Sequence, residues 1–155
     1  MAKKMIFTVL ILCLGQAAVH DALSQERSSM ELDAYRWKNR LLLVFSSSPD
    51  DPNYQSLIKE MQAQQNGIKD RNILVFEVLE KGESRLGGRG LKKEAIDFLR
   101  REFSAGKGSF LVVLIGKDGE EKMRRQKVSL TEIFATIDGM AMRQREMIEK
   151  AKNQR

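Results

Sequence analysis

Arg40-Leu41-Leu42-Leu43-Val44-Phe45-Ser46-Ser47-Ser48-Pro49-Asp50-Asp51-Pro52 is the stretch that decides the fold. Its first half, Arg40 to Phe45, is a short continuous apolar run, the pattern of a strand covered on both faces. Its second half is a helix start. In Asp50-Asp51-Pro52 the aspartate side chains can accept hydrogen bonds from the first free amides and Pro52 suits a first turn, with Ser48 or Asp50 as the expected cap.

Outward from this stretch the chain alternates. Leu57, Ile58 and Met61 make the buried stripe of a helix that should end near Asn66-Gly67. Asn72 to Leu79 is a second apolar strand, and a strand–helix–strand unit of this length is a parallel, right-handed crossover. Lys81 to Gly90, with Gly82, Gly87, Gly88 and Gly90, reads as a mobile surface loop. Leu91 to Phe103 is amphipathic, with Lys93 and Asp97 spaced to pair along a helix. Phe110 to Ile115 is a third apolar strand. Gly116-Lys117-Asp118-Gly119 then turns tightly into a more polar edge strand, Glu120 to Lys127. Ser129-Leu130-Thr131-Glu132 is a capping box, opening a helix that Gly139 ends.

This order of strand, helix, strand, helix, hairpin and helix predicts an α/β domain. The expected architecture is a thioredoxin-like, four-stranded mixed sheet flanked by helices. Redox members of that fold carry a reactive cysteine just after the first strand, where Ser46, Ser47 and Ser48 stand here. They also carry a cis-proline before the third strand, where Gly106-Lys107-Gly108-Ser109 stands. The only cysteine of the chain is Cys13. A thiol oxidoreductase or peroxiredoxin is therefore not expected.

Cys13 lies in a segment with the marks of a secretory signal: Lys3 and Lys4, the apolar run Met5–Leu14, then small residues at Ala17, Ala18 and Ala22. Ten residues span about 15 Å as a helix, about half a bilayer core, so a transmembrane anchor is not expected. The expected organisation is residues 1–22 as leader, cleaved near Ala17 or Ala22, then a polar lead-in at 23–34. The domain follows at 35–139, with Tyr35 and Trp37 as aromatic surface at its edge, and a basic, methionine-rich, partly helical tail at 140–155. The address would be secreted or periplasmic. The net charge of +6 favours anionic partners, although moderate charge also serves solubility alone.

Several segments together resemble a known family. They are Trp37-Lys38-Asn39-Arg40, Pro49-Asp50-Asp51-Pro52, Asp70-Arg71-Asn72, Leu114 to Gly119, and Ile137 to Arg143 with Glu146-Met147. The chain is similar over roughly Leu32 to Met147 to domain-of-unknown-function family 4174, also called P-DUDES. This family occurs in small secreted bacterial proteins and as a module of animal extracellular sushi-repeat and coiled-coil-domain proteins. The resemblance implies a thioredoxin-like fold and an exported address, and it transfers no catalytic residue. Ala141 stands where the family often has proline, which implies a softer bend after Gly139.

The expected ligand-binding loop is Ser46, Ser47, Ser48, Asp50 and Asp51, at a strand's carboxyl end and a helix amino terminus, where amides attract anions. Helix capping is the competing role, and Asp50 and Asp51 would oppose an anion. A serine nucleophile would need a positioned base, and the single histidine, His20, lies far outside the domain. A basic patch is expected from Arg85, Arg89, Lys92, Lys93, Arg100 and Arg101, against the alternative of a solvated face broken by Glu83, Glu94, Asp97 and Glu102. Gly82 and Gly87 have phosphate-loop spacing, but Gly88 and Arg89 stand where lysine and serine or threonine would be needed. No zinc or calcium pattern occurs, no cofactor is expected, and nucleic-acid binding is not expected.

The resulting expectation is a non-catalytic binding module whose partner is an extracellular or envelope protein or a polyanion. One alternative is an enzyme using Ser47, Asp50, Asp51 and Glu77. Another is an assembly partner that docks through the tail.

Overall fold

The computed structural model describes residues 32–154. The leader, Cys13, His20 and most of the polar lead-in lie outside the described residues. Tyr35–Arg155 forms one compact unit.

In chain order its elements are β1 (Arg40–Ser46), α1 (Pro52–Ala63), α2 (Gln65–Asp70), β2 (Ile73–Leu79), β3 (Arg85–Leu86) and β4 (Arg89–Gly90). They are followed by α3 (Lys93–Glu102), β5 (Leu111–Ile115), β6 (Glu121–Arg125), α4 (Leu130–Asp138) and α5 (Ala141–Asn153). The strands form one mixed sheet in the order β4-β3-β2-β1-β5-β6. β1 and β2 are parallel, in register from Arg40 opposite Ile73 to Ser46 opposite Leu79. β5 is antiparallel to β1, with Leu41 opposite Ile115 and Phe45 opposite Leu111. β6 returns antiparallel along β5 as an outer strand.

The sheet thus has six strands, not the four expected. The extra pair comes from the glycine-rich segment, which folds back instead of remaining a loop. Gly87 (φ 53°) and Gly88 (φ 85°) supply left-handed turn conformations. β3 then pairs with the edge of β2, setting Leu86 opposite Phe76 and Arg85 opposite Glu77. Ser84 fixes the entry to this hairpin: its buried hydroxyl accepts from Leu79 N at 2.9 Å and donates to Leu79 O.

β1 is buried along its whole length because both faces of the sheet are covered. Alternation sends Leu42 and Val44 toward one face, where Leu57 and Met61 of α1 and Leu130, Ile133 and Ile137 of α4 join them in a single core. Leu41, Leu43 and Phe45 point to the other face, where Phe45 packs at 6.0 Å on Phe103, just beyond α3. These leucines, valines and isoleucines are almost completely withdrawn from water. Each contributes about 1.5–3 kcal/mol of hydrophobic stabilisation before chain entropy is counted.

The first helix breaks at Gln64 and resumes as α2, which runs through Gly67 instead of ending there. The reason is packing. A Cβ at Gly67 would lie 2.7 Å from the Phe134 ring, so glycine permits a close approach of α2 to α4. The guanidinium of Arg71 stacks 4.1 Å above the same ring. The last segment is helical as α5, within the same compact unit.

Candidate functional site

The sheet has two ends of different chemistry. The carboxyl ends of β1 and β2 carry the serine loop, the turn after β2 and the segment after α3. The amino ends carry the β5–β6 turn, the end of α2 and α5.

At the carboxyl end the serine loop folds onto itself. The Ser46 hydroxyl donates to Ser48 O at 3.1 Å, and Ser48 Oγ accepts from Asp50 N at 3.2 Å. The helix cap is Asp51, not Ser48 or Asp50: its Oδ1 accepts from Asn53 N at 2.8 Å and Tyr54 N at 3.1 Å. The main-chain carbonyls of Ser46 and Ser47 accept from Glu80 N and Lys81 N, which extends the β1–β2 pairing. Glu77, the carboxylate considered for an enzyme, accepts a short hydrogen bond from the Tyr54 hydroxyl. Burial first, and then this bond to Glu77, push the tyrosine's ionisation far above its ordinary value. The structure therefore puts the Ser46 and Ser48 hydroxyls among main-chain partners and gives Asp51 and Glu77 other work.

Beside this loop lies an open groove of about 630 Å³. Leu79, Ile96 and Ala105 give it apolar lining, and Lys93, Arg100, Arg101 and Lys107 outnumber the carboxylates Glu80 and Asp97. Arg100 is a tie across it. Its NH2 donates to Ser46 O at 2.9 Å, and its NH1 lies 3.1 Å from Glu80 and 3.3 Å from Ala105 O. Lys93 pairs with Asp97, as their spacing requires. The other residues of the expected basic patch are not part of the groove: Arg85, Arg89 and Lys92 are exposed, and Arg85 is paired with Glu83.

At the amino end the chain builds a network of buried charge that sequence reading did not assemble. Arg40, 1% exposed at the head of β1, meets the carboxylate of Glu146 from α5 through both terminal nitrogens, at 3.1 and 3.2 Å. It also donates to Arg71 O at 2.9 Å. Lys117 of the β5–β6 turn reaches Glu146 at 2.8 Å. Arg143, 5% exposed, bridges Asp70 at the end of α2 and Asp138 at the end of α4. Arg71 pairs with the same Asp138.

The ionisation of the acids follows. Lys150 and Arg143 hold Asp70 below the ordinary carboxylate range. Burial pushes Asp138 and Glu146 upward, but their guanidinium and ammonium partners outweigh it and leave both low. The one signal available in the sequence was an arginine opening a strand that is otherwise wholly apolar.

Trp37 stands at this same end. It is 67% exposed and sits at φ 63°, a left-handed conformation that costs an ordinary L-residue about 1–2 kcal/mol. Its backbone is pinned: Trp37 N donates to Lys117 O at 2.7 Å, and Lys38 N and Asn39 N both donate to Tyr35 O. Arg36 donates to Asp118 O at 2.9 and 3.1 Å. Gly119 makes room for that arginine, since a Cβ there would lie 2.6 Å from Arg36 Nε.

Among the described residues no group of three or more His, Cys, Asp or Glu is placed to hold a metal ion, and no helix is long and apolar enough to cross a membrane. No solved structure matches the chain significantly. The chain is 31% identical over 128 residues to Sushi repeat-containing protein SRPX2 of Xenopus laevis, covering 79% of this chain and 28% of that protein. The Homo sapiens protein of the same name is 26% identical over 123 residues, covering 77% of this chain and 26% of that one. The chain thus spans about a quarter of the length of these curated relatives. The family described as a domain of unknown function, DUF4174, matches residues 31–146, a range that takes in Trp37, the serine loop, the groove and the Arg40–Glu146 pair. The chain belongs to the DUF4174 family.

Proposed function

We propose that the chain is an exported, non-catalytic interaction module on a thioredoxin-like scaffold, and that the groove beside the serine loop receives an acidic segment of a partner protein. The scaffold reading is supported by the central strand order β2-β1-β5-β6, with β1 and β2 parallel and the hairpin antiparallel to them. The exported address is supported by the signal-like leader and by relatives named for sushi repeats. One observation carries the binding reading. The loop that would hold chemistry in such a scaffold is closed on its own backbone, whereas the groove next to it offers apolar lining under an excess of cations.

An octa-glutamate peptide is the simplest probe. Calorimetric titration should show binding that weakens as ionic strength rises, because separated surface charges are screened beyond about 8 Å at physiological salt. The double variant Lys93→Glu and Lys107→Glu should bind at least about tenfold more weakly, a difference of about 1.4 kcal/mol. Equal affinity of variant and parent would refute the groove as the ligand surface.

A further inference from the structure

One position in the groove already holds a carboxylate, and that carboxylate belongs to the protein. We propose that the guanidinium of Arg100 and the main-chain N–H of Gly108 form the groove's carboxylate-binding position. Glu80 fills it in the free protein, and a carboxylate of the acidic segment takes Glu80's place on binding. This rests on the groove as the ligand surface and deepens it, from an excess of charge to a named position with an internal competitor.

The occupant is chosen by what the position holds now. Gly108 N donates to Glu80 Oε1 at 2.8 Å, and Arg100 Nη1 lies 3.1 Å from the same oxygen. Both donors are also fixed without Glu80. Arg100 is anchored on Ser46 O at 2.9 Å and Ala105 O at 3.3 Å. Gly108 belongs to a turn that Ser109 closes, its hydroxyl donating to Gly106 O at 2.7 Å and its N–H to the same oxygen at 3.4 Å. Glycine serves the backbone here and not packing, since φ is 73° and a Cβ would meet nothing within 4 Å. Donors held in place before binding limit the ordering entropy that a ligand must offset.

Glu80 is the replaceable member. Its side chain is long, 24% exposed, and on the lining of the groove. Both contacts described above fall on one of its oxygens. Turned into water it becomes a solvated carboxylate, and the incoming carboxylate restores the charge-assisted bonds to Arg100 and Gly108. Exchange of like for like leaves affinity to the other contacts. Lys107, exposed and next to Gly108 in the chain, adds positive charge, and Leu79, Ile96 and Ala105 add apolar lining. Arg100 also has donor capacity that Glu80 does not use, because its Nε is buried without a hydrogen-bond partner.

Calorimetric titration with octa-glutamate compares the parent with Glu80→Gln and Asp97→Asn. Each variant removes one negative charge from the groove lining, so the general gain in attraction is matched, and only the first weakens the competitor. Glu80→Gln should bind at least about tenfold more tightly than the parent. It should also bind several-fold more tightly than Asp97→Asn. The Gly108 amide resonance of Glu80→Ala is the second readout. Loss of its acceptor should move it upfield, and sodium acetate should return it saturably toward the parent position. Sodium chloride at the same ionic strength should not. The inference is overturned if Glu80→Gln gains no more than Asp97→Asn, or if acetate and chloride act alike on Gly108. Weaker binding by Glu80→Gln than by the parent would also overturn it, by making Glu80 a brace of the groove wall. If the parent and both charge variants fail to bind octa-glutamate, the groove itself is refuted as the ligand surface and this inference with it. A parent that binds beside a Glu80→Gln that gains nothing removes the inference alone.

Discussion

The two ends of the sheet are held by different kinds of bond. At the carboxyl end the side chains of Ser46, Ser48 and Asp51 meet partners two or three residues away, and the longest tie is Arg100 to Ser46 O across 54 residues. At the amino end Arg40 meets Glu146 across 106 residues, Arg143 meets Asp70 across 73 and Arg71 meets Asp138 across 67. The side chains of the first end close mostly on their own loop; those of the second close the chain. The segments on which the family resemblance rests, apart from Pro49–Pro52, contribute residues to the second end.

The largest test of this contrast is removal of one carboxylate at each end. Glu146→Ala leaves Arg40, 1% exposed, with a charge compensated only by the Arg71 carbonyl. Breaking a buried pair in this way costs about 3–5 kcal/mol, visible as a lowered urea midpoint. Glu80→Ala at the other end frees Arg100, whose side chain is 15% exposed and retains two carbonyl partners. A loss of about 1–2 kcal/mol is expected there. Equal losses would erase the distinction.

Acid should act on the amino end. Asp70, Asp138 and Glu146 are all held below their ordinary values of 3.8, 3.8 and 4.5. The folded state therefore binds fewer protons than the unfolded chain. Stability from these pairs is complete above about pH 5 and falls as the pH drops through the lowered values. Glu146→Gln should flatten the acid limb of a Tm-versus-pH curve, and a curve parallel to the parent's would show that the network contributes no pH dependence. The smallest effect belongs to the local end. Asp51→Ala should cost about 1 kcal/mol, and Asp51→Asn much less, because asparagine caps nearly as well.

The same contrast explains what was legible beforehand. The four central strands, the Lys93–Asp97 pair, the Ser129 cap and the turn at Gly119 rest on residues a few positions apart, and each has a short-range pattern. The choice of Asp51 over Ser48 or Asp50 as cap depends on φ and ψ at one residue, which composition does not specify. The continuation of α2 through Gly67 depends on Phe134, which lies on another helix. The β3–β4 pair depends on an edge of β2 that exists only once the sheet is formed. Arg40 was legible as a strand residue but not as a buried cation, since no periodicity states which of the chain's carboxylates will reach it. Of the residues that line the groove, Lys93, Arg100 and Arg101 belong to the expected basic patch, whereas the groove itself and its Lys107, Ile96 and Ala105 arise from the packing of α3 against the sheet.

The outer strand β6 carries Lys122, Arg124 and Arg125 within five residues. Each is paired with a carboxylate, Lys122 with Asp118 and Glu120, Arg124 with Glu121 and Arg125 with Glu132, so a second molecule approaching this margin would have to strip water from a row of charged pairs, and sheet growth from copy to copy is opposed where an unguarded margin would invite fibres. That safeguard lets a protein with a strongly apolar central strand stay dispersed as its concentration rises.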